Sequence, residues 1–489
     1  MTMFVLISAS LLALIFVSYC YHLYKFKSND NFKPNAPPVV TGRLPYLGDL
    51  QLFGPGLREY LERNRKKLGD IYTVYVRGQF WTFIFGDEHL KTFFTSSEKV
   101  VSSFEFLYQM LEPMQPIPDE KQRAVNGSLN FVSLNHKILN KTNHLQQMVL
   151  NNEYVCKNLI EKEWFGQNKS NQIDVFRETY RTIFMINILN FGGRELYENH
   201  GEEIFNLWEV IDYSRLNIPK EMLLRKLPSP TPSQVAYQRL QSIVSSVMKQ
   251  RENKVGLVDD ILDAIMAHVR TRIIQGDMPK EITEIEAVSM QLLNMFVASH
   301  ITTSNTVGWL IVKCVESRDE KLMSDLRREA SNAPSPITLE YLNDHMPVTD
   351  AAITESVRFS LLGLGGRLLM QDVKFGSYTV PKGNIMYHPY YGAANHFTNS
   401  SHFDPYRYFE RQEHLDGKDE FKFTPFGAGK HPCAGKSVAK NVAKAVMIEL
   451  LKSTRAIYLS SEVIVAPTCL ANFNRQVPEK PIMIRLSKA

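Results

Sequence analysis

The chain opens with an unbroken apolar run, Met3 to Tyr24, and its first charged residue is Lys25. About twenty apolar residues suffice to cross a bilayer as a helix. No positive segment precedes the run, and no clear cleavage site follows it before Pro34, so the pattern favours a retained membrane anchor over a cleaved signal peptide. The lysines that follow the run predict that the rest of the chain lies on the cytosolic side.

Two β-rich runs come next. Asp70–Gly78 and Phe80–Gly86 are rich in β-branched and aromatic residues and meet at a glycine turn, which predicts a hairpin. The preceding stretch, Leu57–Leu68, is amphipathic and rich in lysine and arginine, as expected of a helix. A strand and turn are predicted again at 372–381.

Helical patterns occupy much of the remaining chain. Ser102–Pro116 is apolar without a clean helical period, so it fits a cavity wall and a core segment equally well. A proline-rich break at Leu227–Ser233 separates two helical patterns, and Ser233 is the predicted N-cap of the second. The break fits either a mobile lid or a surface loop. Ile285–Cys314 predicts a long helix that is too polar in its middle to be a second membrane span.

Composition excludes some classes of function. The chain has 489 residues, of which 44% are hydrophobic and 22% charged, so a large apolar core is easily formed. The net charge of +5 gives no case for nucleic-acid binding. The five cysteines are scattered, without the spacing of a disulfide scaffold or a zinc site, and fit a reducing compartment. They are Cys20, Cys156, Cys314, Cys433 and Cys469.

The candidate chemistry lies at Cys433, between a glycine-rich turn and a predicted helix that starts near Lys436. The positive end of a helix stabilises an anion, so we expect it to lower the pKa of the thiol. Gly427, Gly429 and Gly435 lack Cβ, which lets backbone amides approach the sulfur and a flat ring lie against the chain. A small buried cysteine after a turn is the alternative interpretation.

The order F-x-x-G-x-[R/H]-x-C-x-G, with every fixed position filled, resembles the cysteine-ligand loop of the cytochrome P450 superfamily. The resemblance implies a mainly α fold with small β-sheets: an anchor at 1–24, a basic, proline-containing linker at 25–40 and one catalytic domain at 41–489. It also implies that Cys433 ligates the iron of haem b and that Phe426 covers the sulfur. His431 and Arg367 are then expected to hold the haem carboxylates.

A buried ion network is implied next. Glu355 and Arg358 form an E-x-x-R pair on one helix face, which alone indicates only a local ion pair. The later Pro405-Tyr406-Arg407 resembles the family's P-E-R-F element, with Tyr406 in place of the acid. The resemblance implies that Glu355, Arg358 and Arg407 together lock the loop that carries Cys433.

The long helix at 285–314 resembles the family's oxygen-side helix, [A/G]-G-x-[D/E]-T-[T/S]. Ala298 and Ser299 take the small positions and Thr302 takes the alcohol position, followed by Thr303. These threonines are the candidate catalytic residues, because hydroxyls over the iron can relay protons through water. An ordinary hydroxyl bonded back to its own helix is the alternative for Thr302.

The acidic position of this helix is filled by Ile301, which departs from the family pattern. His300 lies one residue earlier, and one residue is about 100° around a helix, so the histidine is not expected to face the same water. A family member that rearranges its substrate without external electrons would need no relay. The retained threonines therefore favour oxygen activation.

Two further features of the sequence concern basic residues. The family's W-x-x-x-R motif, which addresses a haem carboxylate, is absent, and Lys137 or Lys141 would be a weak substitute. Lys436, Lys440 and Lys444 recur every four residues after Cys433 and predict a basic stripe. Such a stripe fits docking of an acidic electron donor, and it also fits an ordinary solvated face.

The resemblance implies a monooxygenase that inserts one oxygen atom of O2 into a lipophilic steroid, sterol or terpenoid. Electrons would come from NADPH through NADPH-cytochrome P450 reductase, with cytochrome b5 as a further donor, at the endoplasmic reticulum membrane. The alternative is a haem-thiolate isomerase or dehydratase that acts on a peroxide without NADPH, which Ile301 supports. A non-enzymatic membrane protein that binds haem or a sterol is the third class.

Overall fold

The computed structural model describes a large part of the chain, and the account below is confined to those residues. They are 29–40, 48–53, 56–76, 78–111, 121, 125, 131–165, 172–216, 224, 226–252, 259–360, 364–390, 397–409, 421, 423–465 and 478–489. The predicted anchor at 1–24, part of the linker at 25–40, Cys20 and Cys469 lie outside these ranges. Within the described ranges, which begin at residue 29, none of the helices combines the length and the apolar character needed to cross a membrane.

Helices make up most of the described structure. They are α1 (Leu57–Leu68), α2 (Asp87–Thr95), α3 (Ser103–Leu111), α4 (Phe131–Leu139), α5 (Thr142–Leu159), α6 (Val175–Asn187), α7 (Gly193–Leu216), α8 (Pro232–Glu252), α9 (Ile261–Ile274), α10 (Glu284–Glu316), α11 (Glu320–Asn332), α12 (Leu339–Asp344), α13 (Pro347–Ser360) and α14 (Lys436–Ser453). Two π-helical turns, Ile160–Trp164 and Ile188–Gly192, continue α5 and α6, and a 3-10 turn spans Pro405–Tyr408.

Ten strands form three small sheets. They are β1 (Ile71–Val76), β2 (Gln79–Ile84), β3 (Val101–Ser102), β4 (Gln172–Asp174), β5 (Leu364–Leu369), β6 (Val373–Phe375), β7 (Tyr378–Val380), β8 (Ile385–Pro389), β9 (Thr454–Leu459) and β10 (Met483–Lys488). The largest sheet has the order β1-β2-β8-β5-β3, in which only β2 and β8 are parallel. The others have the orders β4-β10-β9 and β6-β7.

Helix α10 is the central element of the fold. It begins with a capping box, in which Thr283 and Glu286 satisfy each other's backbone N–H groups. At 33 residues it is about 50 Å long, which is enough to traverse the molecule. Its buried side chains join those of α5, α6 and α14 in the main hydrophobic cluster, so its position is fixed along most of its length.

Several predicted elements are confirmed. The hairpin forms as β1 and β2, with Val76 opposite Gln79 across a turn in which Gly78 has a φ of +89°. Helix α1 has the predicted bounds, and 372–381 forms the β6-β7 hairpin.

The predicted N-cap Ser233 is wrong. Helix α8 starts at Pro232, two residues before the start that an N-cap at Ser233 would give. Thr231 caps it, because Gln234 N donates to Thr231 Oγ1 at 3.4 Å and Thr231 N donates to Gln234 Oε1 at 2.8 Å.

Candidate active site

A cavity of about 390 Å³ lies between α10 and the loop that leads into α14. Helix α10 contributes Ala298, Ser299, Thr302 and Thr303 to its wall. The loop contributes Phe426, Gly427, His431, Cys433 and Gly435. The structure therefore brings the predicted cysteine loop and the predicted oxygen-side residues to opposite sides of one cavity.

The loop holds Cys433 through its backbone. Cys433 N donates to Phe426 O at 2.7 Å, which closes the turn, and the Gly435 N–H is directed at the sulfur. Burial raises the pKa of the Cys433 thiol, and the Gly435 N–H and the Lys436 charge act in the lowering direction without outweighing it. We expected the start of α14 to lower the pKa of the Cys433 thiol. For the protein alone this prediction is wrong, because removal of water from the thiol raises its pKa by more than the Gly435 N–H and the Lys436 charge lower it.

The loop glycines serve three different purposes. Gly427 has a φ of +72°, and a Cβ there would lie 2.6 Å from His431 O, so it permits the tight turn. Gly429 has a φ of +62°, and its Cβ would lie 2.2 Å from Phe94 O at the end of α2. Only Gly435 faces open space. Gly429 thus lets the loop dock on α2, and the prediction that it opens room at the sulfur is wrong.

His431 and Arg367 both present a buried nitrogen that no described residue accepts. His431 Nε2 lies 2.9 Å from Glu98 Oε1, within ion-pair distance, but its N–H is not aimed at that oxygen. The Arg367 guanidinium packs over the Phe93 ring and donates from Nη1 to Gly366 O at 2.7 Å, while its Nε has no described partner. Burial lowers the pKa of Arg367.

These features fit a flat cofactor that carries carboxylates. The sulfur faces the cavity, Gly435 leaves open space beside it, and His431 supplies a buried donor at the cavity wall. Arg367 is not among the cavity-lining residues, whereas Tyr390, which interacts with it electrostatically, does line the cavity. Its role as a carboxylate partner therefore stays a prediction.

The predicted ion network is assembled around Glu355, which is fully buried. Arg358 donates to both carboxylate oxygens, at 2.8 and 2.7 Å, and Arg407 Nε donates to Oε1 at 3.2 Å. Tyr408 OH and the Asp404 N–H also donate to this carboxylate, at 2.8 and 2.9 Å. Every acceptor position of the anion is thus used by donors from α13 and the 397–409 segment.

The described hydrogen bonds of the network lie within α13 and the 397–409 segment. The two arginines bind the backbone carbonyls of Thr398, Ser400 and His402. The Phe423 ring, three residues before Phe426, lies 5.3 Å from the Phe397 ring and 6.2 Å from the Tyr408 ring. The ion network therefore reaches the loop through an aromatic contact at its start.

Tyr406, which replaces the acid of the P-E-R-F element, has a different set of contacts. Its hydroxyl donates to Asp325 Oδ2 on α11 at 2.7 Å, and Lys321 lies 3.5 Å from its ring centroid. The substitution thus attaches the 3-10 turn to α11 rather than adding a carboxylate to the network.

On α10 the two candidate threonines line the cavity, whereas Ile301 and Ser304, the residues on either side of them, do not. Thr302 Oγ1 makes only a long hydrogen bond to Ala298 O, 3.4 Å, so its hydroxyl is free to turn toward a ligand. Ile301 packs against the main hydrophobic cluster and does not line the cavity. The position of the missing acid is therefore occupied by a side chain that contributes to the core.

His300 faces away from the cavity, as its position on the helix predicts. Trp208 Nε1 donates to its Nδ1 at 2.9 Å, and its Nε2 lies 2.8 Å from Tyr180 O. The ring is fully buried among Tyr180, Phe184 and Trp208. Since Nδ1 accepts the indole proton, Nε2 carries the ring proton and donates to Tyr180 O. His300 does not replace the missing acid.

The predicted basic stripe is largely neutralised. Asp350 of α13 pairs with Lys440 at 2.6 Å and with Lys444 at 2.9 Å, and the buried Lys444 also donates to Leu342 O. Lys436 alone of the three is exposed. The prediction of an extended cationic stripe is therefore wrong, because the face of α14 that carries Lys444 packs against α12 and α13. Lys137 and Lys141 do not line the cavity either.

Two residues at the site were missed by sequence reasoning. Glu98 approaches His431 from the segment between α2 and α3, and Tyr390 lines the cavity at the end of β8. Neither lies in a motif, and their positions depend on contacts with distant segments. Among the other described cysteines, Cys156 and Cys314 are buried and unpaired. In the same ranges no group of three or more His, Cys, Asp or Glu side chains could hold a metal ion.

Comparison with known protein families shows which family the chain belongs to. A model of the cytochrome P450 family matches residues 37–468. Lanosterol 14-alpha demethylase of Bos taurus is 22% identical over 470 residues, covering 92% of this chain and 87% of that protein. Abscisic acid 8'-hydroxylase 4 of Arabidopsis thaliana is 23% identical over 442 residues, covering 85% of each chain.

Solved structures agree with the family match. The retinoic acid bound cyanobacterial CYP120A1 superposes with a TM-score of 0.71 and 18% sequence identity, covering 93% of this chain and 99% of that one. At this identity the likeness concerns the fold alone.

Proposed function

Because the chain belongs to the cytochrome P450 family of haem-thiolate monooxygenases, we propose that Cys433 is its thiolate ligand and that it oxygenates a lipophilic substrate. The observation that carries the proposal is the position of the Cys433 sulfur across one cavity from the Thr302 hydroxyl. When bound, the haem supplies the iron at which O2 is activated.

The residues of the chain have separate roles in this proposal. The Gly435 N–H and the Lys436 charge favour the thiolate form of Cys433, which deprotonates outright when it binds a metal ion. His431 holds a cofactor carboxylate through its buried donor, and Arg367 does so through its unpartnered Nε. The Glu355 network keeps the 397–409 segment in place, and with it the start of the cysteine loop.

Proton delivery is assigned to the hydroxyls of α10. Thr302 holds a water on the cavity side, because its bond to Ala298 O is long and easily exchanged. Ser299 also lines the cavity, although its hydroxyl donates to Met295 O at 2.7 Å. With Ile301 in the core, the proton path runs through hydroxyls and water rather than through a side-chain acid.

The proposed substrate is a steroid, sterol or terpenoid. The printed names of the relatives mention lanosterol and abscisic acid, both of them isoprenoid compounds. Apolar residues such as Leu139, Phe191 and Val307 in the cavity wall support a lipophilic ligand.

The proposed partners and location follow from the family and the first residues of the sequence. NADPH-cytochrome P450 reductase supplies the electrons, with cytochrome b5 as a further donor. The segment 1–24 holds the protein in the endoplasmic reticulum membrane, with the catalytic domain on the cytosolic face. An epitope-tagged full-length chain that resists carbonate extraction from microsomes would support this placement, and release into the supernatant would contradict it.

The reduced, carbon monoxide-bound absorption spectrum tests the thiolate assignment. We expect a strongly red-shifted Soret band in the full-length protein, its loss in Cys433→Ala, and its retention in the control Cys314→Ala, which removes a cysteine that does not line the cavity. Absence of the band from well-folded wild-type protein would overturn the assignment.

One observation favours a second function. With Ile301 in place of the acid, the chain would also suit a haem-thiolate isomerase or dehydratase that acts on a peroxide. Turnover of a lipid hydroperoxide or endoperoxide without NADPH, together with no NADPH-dependent oxygenation of a steroid panel, would support this alternative.

A further inference from the structure

The stretch from Phe94 to Phe106 includes the end of α2, the connection to α3 and the start of α3, and it runs along the candidate cofactor site. Phe94 O accepts a hydrogen bond of 3.1 Å from Lys430 N of the cysteine loop. Farther along, Met370 N donates to Val100 O at 3.0 Å, and β3 pairs with β5, the strand that carries Arg367. The segment therefore touches both parts of the chain that present the candidate carboxylate-binding residues.

Within this segment, the Glu98 carboxylate caps α3. Ser103 N donates to Oε1 at 3.0 Å, and Phe104 N donates to Oε2 at 3.2 Å. The Ser102 hydroxyl also donates to Oε2, at 2.7 Å. Backbone N–H groups in the first turn of a helix have no partner within the helix, so the start of α3 depends on this side chain.

The same carboxylate faces the cysteine loop. Oε1, which accepts from Ser103 N, lies 2.9 Å from His431 Nε2. Burial acts to raise the pKa of Glu98, but His431, Ser102 and the two backbone N–H groups lower it to about 2, so the group is an anion near neutral pH. The Oε1 atom of Glu98 thus contacts both the first turn of α3 and His431 of the cysteine loop.

The other side of α3 meets the strand of Arg367. A Cβ on Gly366 would lie 1.9 Å from Cζ of Phe106, so the Phe106 ring lies directly on the glycine backbone. The Gly366 carbonyl in turn accepts from Arg367 Nη1 at 2.7 Å. A movement of α3 would consequently disturb the surroundings of both His431 and Arg367.

We infer that Glu98 is a positioning residue that couples α3 to the cofactor-carboxylate site. Loosening of the first turn of α3 then increases the rate at which the cofactor is released. The inference rests on the proposed haem site. Coupling of this kind is reciprocal: if α3 affects the hold on the cofactor, changes at His431 must affect the stability of the first turn of α3.

The test uses full-length, haem-loaded protein and the variant Glu98→Gln, with Glu88→Gln as the matched control. Glu88 is an exposed glutamate on α2, so both variants remove one negative charge from the same region. Haem release to excess apomyoglobin is expected to become about tenfold faster in Glu98→Gln, the size expected for loss of a charge-assisted contact. Amide hydrogen exchange at 103–105 is expected to accelerate as well, and the control should change neither.

A simple helix cap would alter the amide exchange alone, so haem release at the wild-type rate in Glu98→Gln would overturn the coupling. His431→Ala supplies the reciprocal measurement, since it should accelerate exchange at 103–105 about threefold or more. In the His431→Ala background Glu98→Gln should accelerate haem release by clearly less than tenfold, because only the contact of α3 with the strand of Arg367 is left, whereas independent effects would add. Unchanged exchange in His431→Ala, or additive effects on release, would contradict the inference.

If Glu98→Gln does not accumulate as folded protein, Glu98→Asp is measured in the same way, and it should give an intermediate rate of haem release. The reduced carbon monoxide spectrum distinguishes a failure of the proposed function from a failure of the coupling through Glu98. Without the thiolate band in wild-type protein the proposed function fails, whereas a normal band with unchanged haem release removes only the coupling.

Discussion

Trp208 donates the hydrogen of its indole nitrogen to Nδ1 of His300 over 2.9 Å, and this bond fixes the ring on the side of α10 that faces α6 and α7. His300 is the residue that a reader of the sequence would first consider for the missing acid. The structure gives it a different role, in which it joins three helices in the core.

His300→Ala is therefore expected to reduce stability and to spare catalysis. It leaves the Trp208 N–H and the Tyr180 carbonyl without this partner, at a cost of about 2–4 kcal/mol. Thermal unfolding of haem-loaded protein should show a lower midpoint, with turnover per haem within about twofold of wild type. An unchanged midpoint together with a large loss of turnover would assign His300 to the relay.

Thr302→Ala is expected to uncouple electron use from product formation. Without the hydroxyl at the cavity wall, the fraction of electrons lost as hydrogen peroxide should rise by roughly tenfold, within the range of proton-transfer effects. The matched control is Ser304→Ala, because Ser304 is a buried hydroxyl of the same helix that does not line the cavity. Equal coupling in Thr302→Ala and wild type would show that the Thr302 hydroxyl is not part of the proton path.

Glu355→Gln should prevent stable assembly of the haem-loaded protein. It leaves the buried guanidinium groups of Arg358 and Arg407 without a counter-charge, which costs about 3–5 kcal/mol. The yield of the carbon monoxide complex and urea unfolding measure the effect. Glu340→Gln, a change at an exposed position of α12, provides the baseline for loss of one charge. Normal yield in Glu355→Gln would show that the network is dispensable.

Glu449 of α14 predicts how stability depends on pH. Burial raises its pKa to about 7, with Glu153 acting in the same direction and Lys157 and Lys452 opposing. An acid whose pKa is higher in the folded protein than in the unfolded chain contributes stability that is complete below about pH 4.5 and lost as pH rises through 7. The wild-type protein should lose this contribution between these values.

Glu449→Gln should flatten that part of the profile and raise the melting temperature at pH 8 by about 1–3 °C, because the glutamine cannot ionise. Differential scanning calorimetry at pH 5.5 and pH 8 would show it, with Glu462→Gln as the exposed control. A melting temperature at pH 8 that falls in Glu449→Gln would mean that the ionised carboxylate is stabilising.

The sequence predicts those structural features well whose residues lie close together along the chain. The β1-β2 hairpin follows from Gly78 between two apolar runs, and the cysteine loop from the spacing around Cys433. The contact of Arg358 with Glu355 follows from their separation of three positions on one helix. In each case the interacting groups are close in the chain or belong to a motif of fixed spacing.

Other features depend on partners that only the fold supplies. Lys440 and Lys444 look like a solvated stripe until Asp350, from a helix far away in the chain, is placed between them. Gly429 resembles the other loop glycines, and only the approach of Phe94 O shows what it permits. No sequence motif marks Glu98, because its role depends on a contact with His431, which is distant in the chain.

The hydrogen bond between Phe94 O and Lys430 N has a consequence for biosynthesis. The two residues come from opposite ends of the chain, so the loop cannot dock until the ribosome has made nearly all of the protein. The early helices must wait for that loop, and the cofactor can enter only a finished polypeptide. A shortage of haem in the cell would thus accumulate complete chains with an unsealed centre, which cellular quality control must hold or degrade.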